Sequence, residues 1–243
     1  MALDQIAVLA AIALFSVVQS FFGMGVLVFG TPTLLLMGYD FITALSYLLP
    51  ASFAISLLQV LVAGSARVSV SPSLYFLCLP GIGVGLLFTD TSTLTSWSNV
   101  LIGGTLLVSA LVRIWEPAGS LLNVMLEKHL QTYHLVMGLI HGLTNLGGAM
   151  LAILASGLNT EKAAIRYTVA HYYLAFSTIQ MLLLATVMGQ HAVLLSHLFT
   201  GVVSTSVFFL VGNRIFVRAS NPTFNIALTI FIAAYGVIIL LKL

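Results

Sequence analysis

Gln19-Ser20-Phe21-Phe22-Gly23-Met24-Gly25-Val26-Leu27-Val28-Phe29-Gly30-Thr31-Pro32 is the stretch whose reading decides the fold. It lies inside an apolar run over residues 6–37. A single membrane helix needs about 20 apolar residues, so this run is too long for one span. Three glycines and a proline interrupt it, and both residue types weaken helices. A weaker version follows later as His141-Gly142-Leu143-Thr144-Asn145-Leu146-Gly147-Gly148. Both stretches read as membrane segments that are broken or re-entrant.

Composition supports that class. The chain is 60% hydrophobic and 6% charged, whereas a soluble domain carries about 25% charged residues. Apolar segments cover 6–37, 41–64, 72–89, 97–114, 133–157, 162–188, 191–212 and 222–242. None shows the ten-residue alternation of an outer-membrane barrel. The expected fold is therefore an all-α polytopic membrane protein with about eight hydrophobic segments. Met1-Ala2-Leu3-Asp4 has no basic stretch, so the first run reads as a retained segment. A net charge of +2 gives no reason to expect a nucleic-acid partner. The lone cysteine, Cys78, offers neither a disulfide nor a metal motif.

The chain reads as two four-segment repeats, 1–115 and 133–243, joined by a polar connection at 116–132. Gly38-Tyr39-Asp40 matches Gly157-Leu158-Asn159, and Ala44 matches Ala163. That register pairs Ser52 with His171 and Gln59 with Thr178. With a gap of three residues it pairs Gln19 with His141 and Gly25 with Gly147. Secondary transporters are often built this way. Charge suggests that the repeats are inverted. If the first segment of each enters and leaves by one face, Arg67, Arg113, Lys128, Lys162, Arg166, Arg214 and Arg218 share a side. Lys242 then stands alone opposite, and both termini lie outside. Eight simple spans, with one broken helix per half, divide the cations evenly and fit the positive-inside rule less well.

A break inside a bilayer leaves backbone groups that protein, water or ligand must satisfy. A half-helix starting near Gly25 would aim N–H groups and its dipole at an anion. Gln19, Ser20, Gly23, Gly25 and Thr31 are the candidate contacts of the first break. His141, Thr144, Asn145, Gly147 and Gly148 are those of the second. Ser52, Ser56 and Gln59 share a helical face, as do His171 and Thr178. Of these, Ser52, Gln59 and His171 are also candidate ligand contacts. Arg166, one turn into its segment, is a candidate for drawing an anion into a vestibule. For these residues the plainer role is helix packing or interhelical hydrogen bonding, and for Arg166 it is snorkelling to lipid phosphates or fixing orientation. No carboxylate falls near the centre of a segment, which leaves His141 and His171 as titratable groups if a proton is coupled. No catalytic grouping, metal motif or phosphate loop is visible. Neither enzymatic activity nor a cofactor is expected.

The pattern Gln19-Ser20-Phe21-Phe22-Gly23-Met24-Gly25, with Pro32, Gly38 and the element from Gly138 to Gly157, resembles the TauE/SafE sulfite-exporter family. The likeness implies a multi-pass permease of the bacterial cytoplasmic membrane. It would move sulfite, sulfonates or related sulfur-containing organic anions. Carried over, the motif glycines are Gly23, Gly25, Gly147 and Gly148. Val26-Leu27-Val28 replace the family's glycine run, and His141 and Asn145 stand where small residues are usual, which leaves the substrate open. The expectation is a secondary transporter of small anions working by alternating access around breaks near the membrane midplane. A proton or another coupling ion and a homo-oligomer are compatible with it. The alternatives are a channel-like anion uniporter without a coupling ion and a non-transporting membrane assembly subunit.

Overall fold

The computed structural model describes residues 2–89, 107, 111 and 115–241. The expected segment 97–114 lies outside them apart from Leu107 and Leu111, as do Asp90 and Arg113. Among the described residues the chain is helical with no strand. Four helices among the described residues are long and apolar enough to cross a membrane: Asp4–Phe22, Phe41–Val62, Lys162–Thr186 and Phe199–Arg218. The chain is thus consistent with an all-α membrane protein.

Contacts divide the chain into two compact units. One is Met1–Val68 with Arg166–Ala219, and the other is Ser69–Ile165 with Ser220–Leu243. This division cuts across the sequence halves 1–115 and 133–243. Residues 116–132, read from sequence as a polar connection, are helical.

In the first unit, α1 (Ala2–Phe22) has 21 residues and α2 (Val26–Leu36) has 11. At 1.5 Å per residue these are about 31 Å and 16 Å, a full and a half bilayer crossing. The break falls at Gly23-Met24-Gly25. Gly30 and Pro32, which looked like further interruptions, lie inside α2. The α2 helix folds back along α1, with the Phe15 and Phe29 rings 6.2 Å apart. Asp4 shares a surface cleft with Met37, Gly38 and Tyr39, so the hairpin ends beside its own start. Helix α3 (Phe41–Val62) begins at Asp40, whose carboxylate accepts from the Thr43 N–H at 2.9 Å and the Thr43 hydroxyl at 2.6 Å. That is a side-chain cap on the first turn. Pro50 lies inside α3, and in the turn before it the Thr200 hydroxyl donates to the Tyr47 carbonyl at 2.8 Å.

Helices α4 (Leu79–Leu87), α5 (Glu116–Thr144) and α6 (Gly148–Leu158) belong to the second unit. A π-helical turn, Leu74–Cys78, precedes α4. Helix α5 kinks at His129. Helix α6 folds back along α5, where the Tyr133 hydroxyl donates to the Met150 carbonyl at 2.7 Å. Helices α4 and α5 cross with their backbones in contact. Gly81 and Gly85 face the main chain of α5, while Gly138 and Gly142 face the carbonyls of Cys78 and Ile82. No side chain fits between them, which is the close packing that small residues four apart allow in membrane helices.

Helix α7 (Lys162–Thr186) begins in the second unit. There Asn221 accepts from the Lys162 N–H at 3.2 Å and donates to Glu161 at 2.6 Å. From Arg166 onward α7 belongs to the first unit. After it come α8 (His191–Ser196) and α9 (Phe199–Val207). A second π-helical turn (Phe208–Gly212) leads into α10 (Asn213–Arg218). Helix α11 (Asn221–Leu241) ends the described chain. Helix α9 and the π turn hold α1, through a Ser16–Ser204 hydroxyl pair at 2.8 Å and Gly212 against the Ser20 side chain.

Candidate functional site

The first break is built around Gln19, which is fully buried. Gly23 turns the chain at φ +87°, a left-handed backbone that glycine adopts without strain. The Gly23 N–H still donates to the Gln19 carbonyl at 2.7 Å. Two residues on, Gly25 precedes α2 and lies against α1. A Cβ there would sit 2.6 Å from the Gln19 nitrogen and 2.7 Å from the Phe15 carbonyl oxygen. This contact brings the first turn of α2 within reach of the Gln19 side chain. Gln19 Oε1 accepts from the Val26 N–H at 3.0 Å, satisfying one of the donors that a helix start leaves open.

The other end of the same amide docks on α3. Gln19 Nε2 donates to the Ser52 carbonyl and hydroxyl at 3.0 Å and to the Ser56 hydroxyl at 3.1 Å. Ser52 lies at the middle of the 22-residue α3. The start of α2 is therefore held about 16 Å from the beginning of α3, half-way along a spanning helix.

The C-terminal end of α1 is closed by two further side chains. Gln59 Nε2 donates to the Gln19 carbonyl at 2.8 Å and to the Ser20 carbonyl at 3.1 Å. Arg166 Nη1 donates to the same Ser20 carbonyl at 3.2 Å and to Asn213 Oδ1 at 3.1 Å. The guanidinium lies 3.4 Å from the centre of the Phe216 ring, in cation–π geometry. Arg166 is only 7% exposed. Among the described residues no carboxylate pairs with it. What faces it instead is the C-terminal end of α1, which carries roughly half a negative charge. A whole positive charge is thus buried against a partial negative one. The Ser20 hydroxyl turns away and donates to the Ser16 carbonyl at 2.6 Å. Thr31 is buried within α2.

The second break has a similar backbone plan and different side chains. Helix α5 ends at Asn145, left-handed at φ 63°, whose N–H donates to the His141 carbonyl at 2.7 Å. This is a left-handed C-cap. Thr144 donates to the Ile140 carbonyl at 2.6 Å and accepts from the Leu146 N–H at 3.3 Å. Gly147 then precedes α6, whose first residue is Gly148. A Cβ on Gly147 would lie 2.7 Å from the His141 Cβ and 3.0 Å from the Met137 carbonyl oxygen. His141 is fully buried beside it.

The structure thus brings Gln19, Ser20, Gly23, Gly25, Ser52, Gln59 and Arg166 into one cluster in the first unit. His141, Thr144, Asn145, Gly147 and Gly148 form another in the second. His171 lies on α7 in the first unit, one turn from Tyr167, with their rings 5.8 Å apart. Ser56 is a full member of the Gln19 cluster, while Asn213 and Phe216 join it unannounced by the sequence. Their signal is faint: a lone Asn and Phe beside Arg214 read as a segment end. No group of three or more metal-ligating side chains occurs among the described residues. The described helices and this cluster are consistent with one class, that of helical membrane proteins with polar breaks inside apolar hairpins. No protein-family model, curated protein or solved structure matches the chain.

Proposed function

We propose that this protein is a secondary membrane transporter of small anions and that the first break carries the anion contact. The observation that carries the reading is Arg166. A buried guanidinium without a carboxylate is expensive unless a partner arrives. Charged residues inside membrane helices commonly mark substrate pathways. Here the charge lies at the C-terminal end of α1, at the break that separates it from α2, and helix breaks inside the membrane are where secondary transporters form their substrate sites.

The two breaks are in turn read as inverted repeats, with each hairpin entering and leaving by one face. In support, Gln19 precedes Gly25 by the same six residues that separate His141 from Gly147. Each break has a left-handed residue two positions before its glycine. Each return arm, α2 and α6, has 11 residues. Alternating access by the two repeats is the mechanism proposed. Sulfite, sulfonates and related sulfur-containing organic anions are the substrates to test first, and the bacterial cytoplasmic membrane is the proposed location.

One observation favours a second reading. Gln19, Gln59 and Arg166 already satisfy backbone groups at the first break, as a non-transporting assembly subunit would require. Reconstituted vesicles separate the two. A transporter gives saturable anion flux above that of empty vesicles. It loses that flux in Gly25→Leu and Gly147→Leu proteins that still insert. A subunit gives no flux for any anion.

A further inference from the structure

Gln59 carries information that the rest of the cluster does not. It is 1% exposed, and its Nε2 is fixed by two backbone carbonyls, which settles which end of the amide is oxygen. Its Oε1 is buried with no hydrogen-bond partner. Buried amide oxygens are nearly always paired, so this acceptor is shaped for a donor that is not part of the chain. Its neighbour is the opposite kind of group. Arg166 Nη1 meets Gln59 Nε2 at one atom, the Ser20 carbonyl oxygen. Arg166 Nε and Nη2 have no acceptor among the described residues. Spare cationic donors and one spare neutral acceptor therefore belong to two side chains that converge on one carbonyl, within one unit of the fold.

We infer that this pair binds a singly charged oxyanion that still carries an O–H, such as hydrogencarbonate. The guanidinium donates to the unprotonated oxygens, and the ligand's O–H donates to Gln59 Oε1. This rests on the anion-transport reading and deepens it by naming which protonation state the site selects. An anion lacking the hydroxyl would leave Gln59 Oε1 unpaired against its own lone pairs. Sites that must leave a buried polar group unpaired reject such analogues strongly.

The test uses the full-length protein in detergent and follows thermal unfolding with bicarbonate, acetate or chloride at matched ionic strength. Bicarbonate and acetate share charge and planar shape and differ by hydroxyl against methyl. The expected result is stabilisation by bicarbonate at a half-saturating concentration roughly tenfold or more below that of acetate. Gln59→Leu should erase the preference. The wild-type comparison needs no variant, so the inference stays testable if Gln59→Leu, which also gives up the donor to the Gln19 and Ser20 carbonyls, fails to fold. Equal stabilisation of the wild type by bicarbonate and acetate, or an undiminished preference in folded Gln59→Leu, would overturn the inference. If neither anion stabilises while sulfite or sulfonate flux persists, the inference fails and the transport reading stands. If no anion binds or moves, both fail.

Discussion

Replacing Gln19 by methionine keeps the length and apolar stem of the side chain and removes its amide. The Val26 N–H then loses its acceptor at a residue with no exposed surface, where water cannot substitute. Ser52 and Ser56 lose their shared donor. Loss of a side-chain cap costs about 1 kcal/mol. Hydrogen bonds between membrane helices contribute on average about 0.6 kcal/mol and up to about 1.7 kcal/mol each. One cap and two such bonds come to roughly 2–4 kcal/mol. For a chain of this size each kcal/mol lowers Tm by about 2–4 °C, so a drop of roughly 4–16 °C is expected. Thermal unfolding of detergent-purified protein measures it. Leu14→Ala, at a residue of α1 that is 61% exposed, serves as the control. A Gln19→Met protein that melts within about 2 °C of wild type would refute the idea that Gln19 holds the break.

Gly142→Val should separate α4 from α5, because its side chain would have to occupy the space of the Ile82 carbonyl. Overpacking of this kind costs about 1–3 kcal/mol or more, visible as a lower Tm, whereas Gly38→Ala meets no neighbour and tests only its left-handed backbone. Asp40 is exposed, and the slight desolvation of its carboxyl by the helix start pushes it up. Hydrogen bonds from Thr43 and from the backbone of Asp40 and Ile42 outweigh this and leave the folded-state pKa below the ordinary value. Its contribution to stability is therefore full above the unfolded carboxylate pKa of about 3.9 and is lost as pH falls towards the folded value. Asp40→Asn, which still caps, should show a shallower loss of Tm on acidification below that pH. An identical acid profile would exclude the charge as the cause. With Cys78 replaced, Arg67→Cys and Arg214→Cys should react with a membrane-impermeant thiol reagent from the same, cytoplasmic, side. Labelling from opposite sides would reject the inverted-repeat topology.

Much of the plan is legible in the sequence because it is written in residue types. Glycines inside an apolar run mark the places where the backbone departs from a helix, and both breaks fall within the stretches quoted at the outset. The spacing of Ser52, Ser56 and Gln59 puts them on one face, and a face that polar in a bilayer must meet something polar. What they meet could not be read so directly. Gln19 reaches the Val26 N–H because Gly25 lets α2 close against α1, a contact that no residue pattern encodes.

Arg166 illustrates the harder limit. Its principal partner is a backbone carbonyl 146 residues away, and carbonyls leave no mark in a sequence. One turn into an apolar segment, an arginine reads as a snorkelling residue, and only the packed structure shows it turned inward. The glycines at 81, 85, 138 and 142 have a visible four-residue spacing, but spacing does not say which helices meet. Pro32 misled in the other direction. It suggests an interruption, yet the return arm continues through it as helix.

Anion flux into proteoliposomes tests the central claim most directly. Wild-type protein should take up labelled sulfite or a small sulfonate with saturation. Arg166→Gln should insert normally and lose most of that uptake, because the buried cation is gone. Uptake by the wild type no greater than in empty vesicles across a panel of small anions, or full uptake by Arg166→Gln, would contradict it.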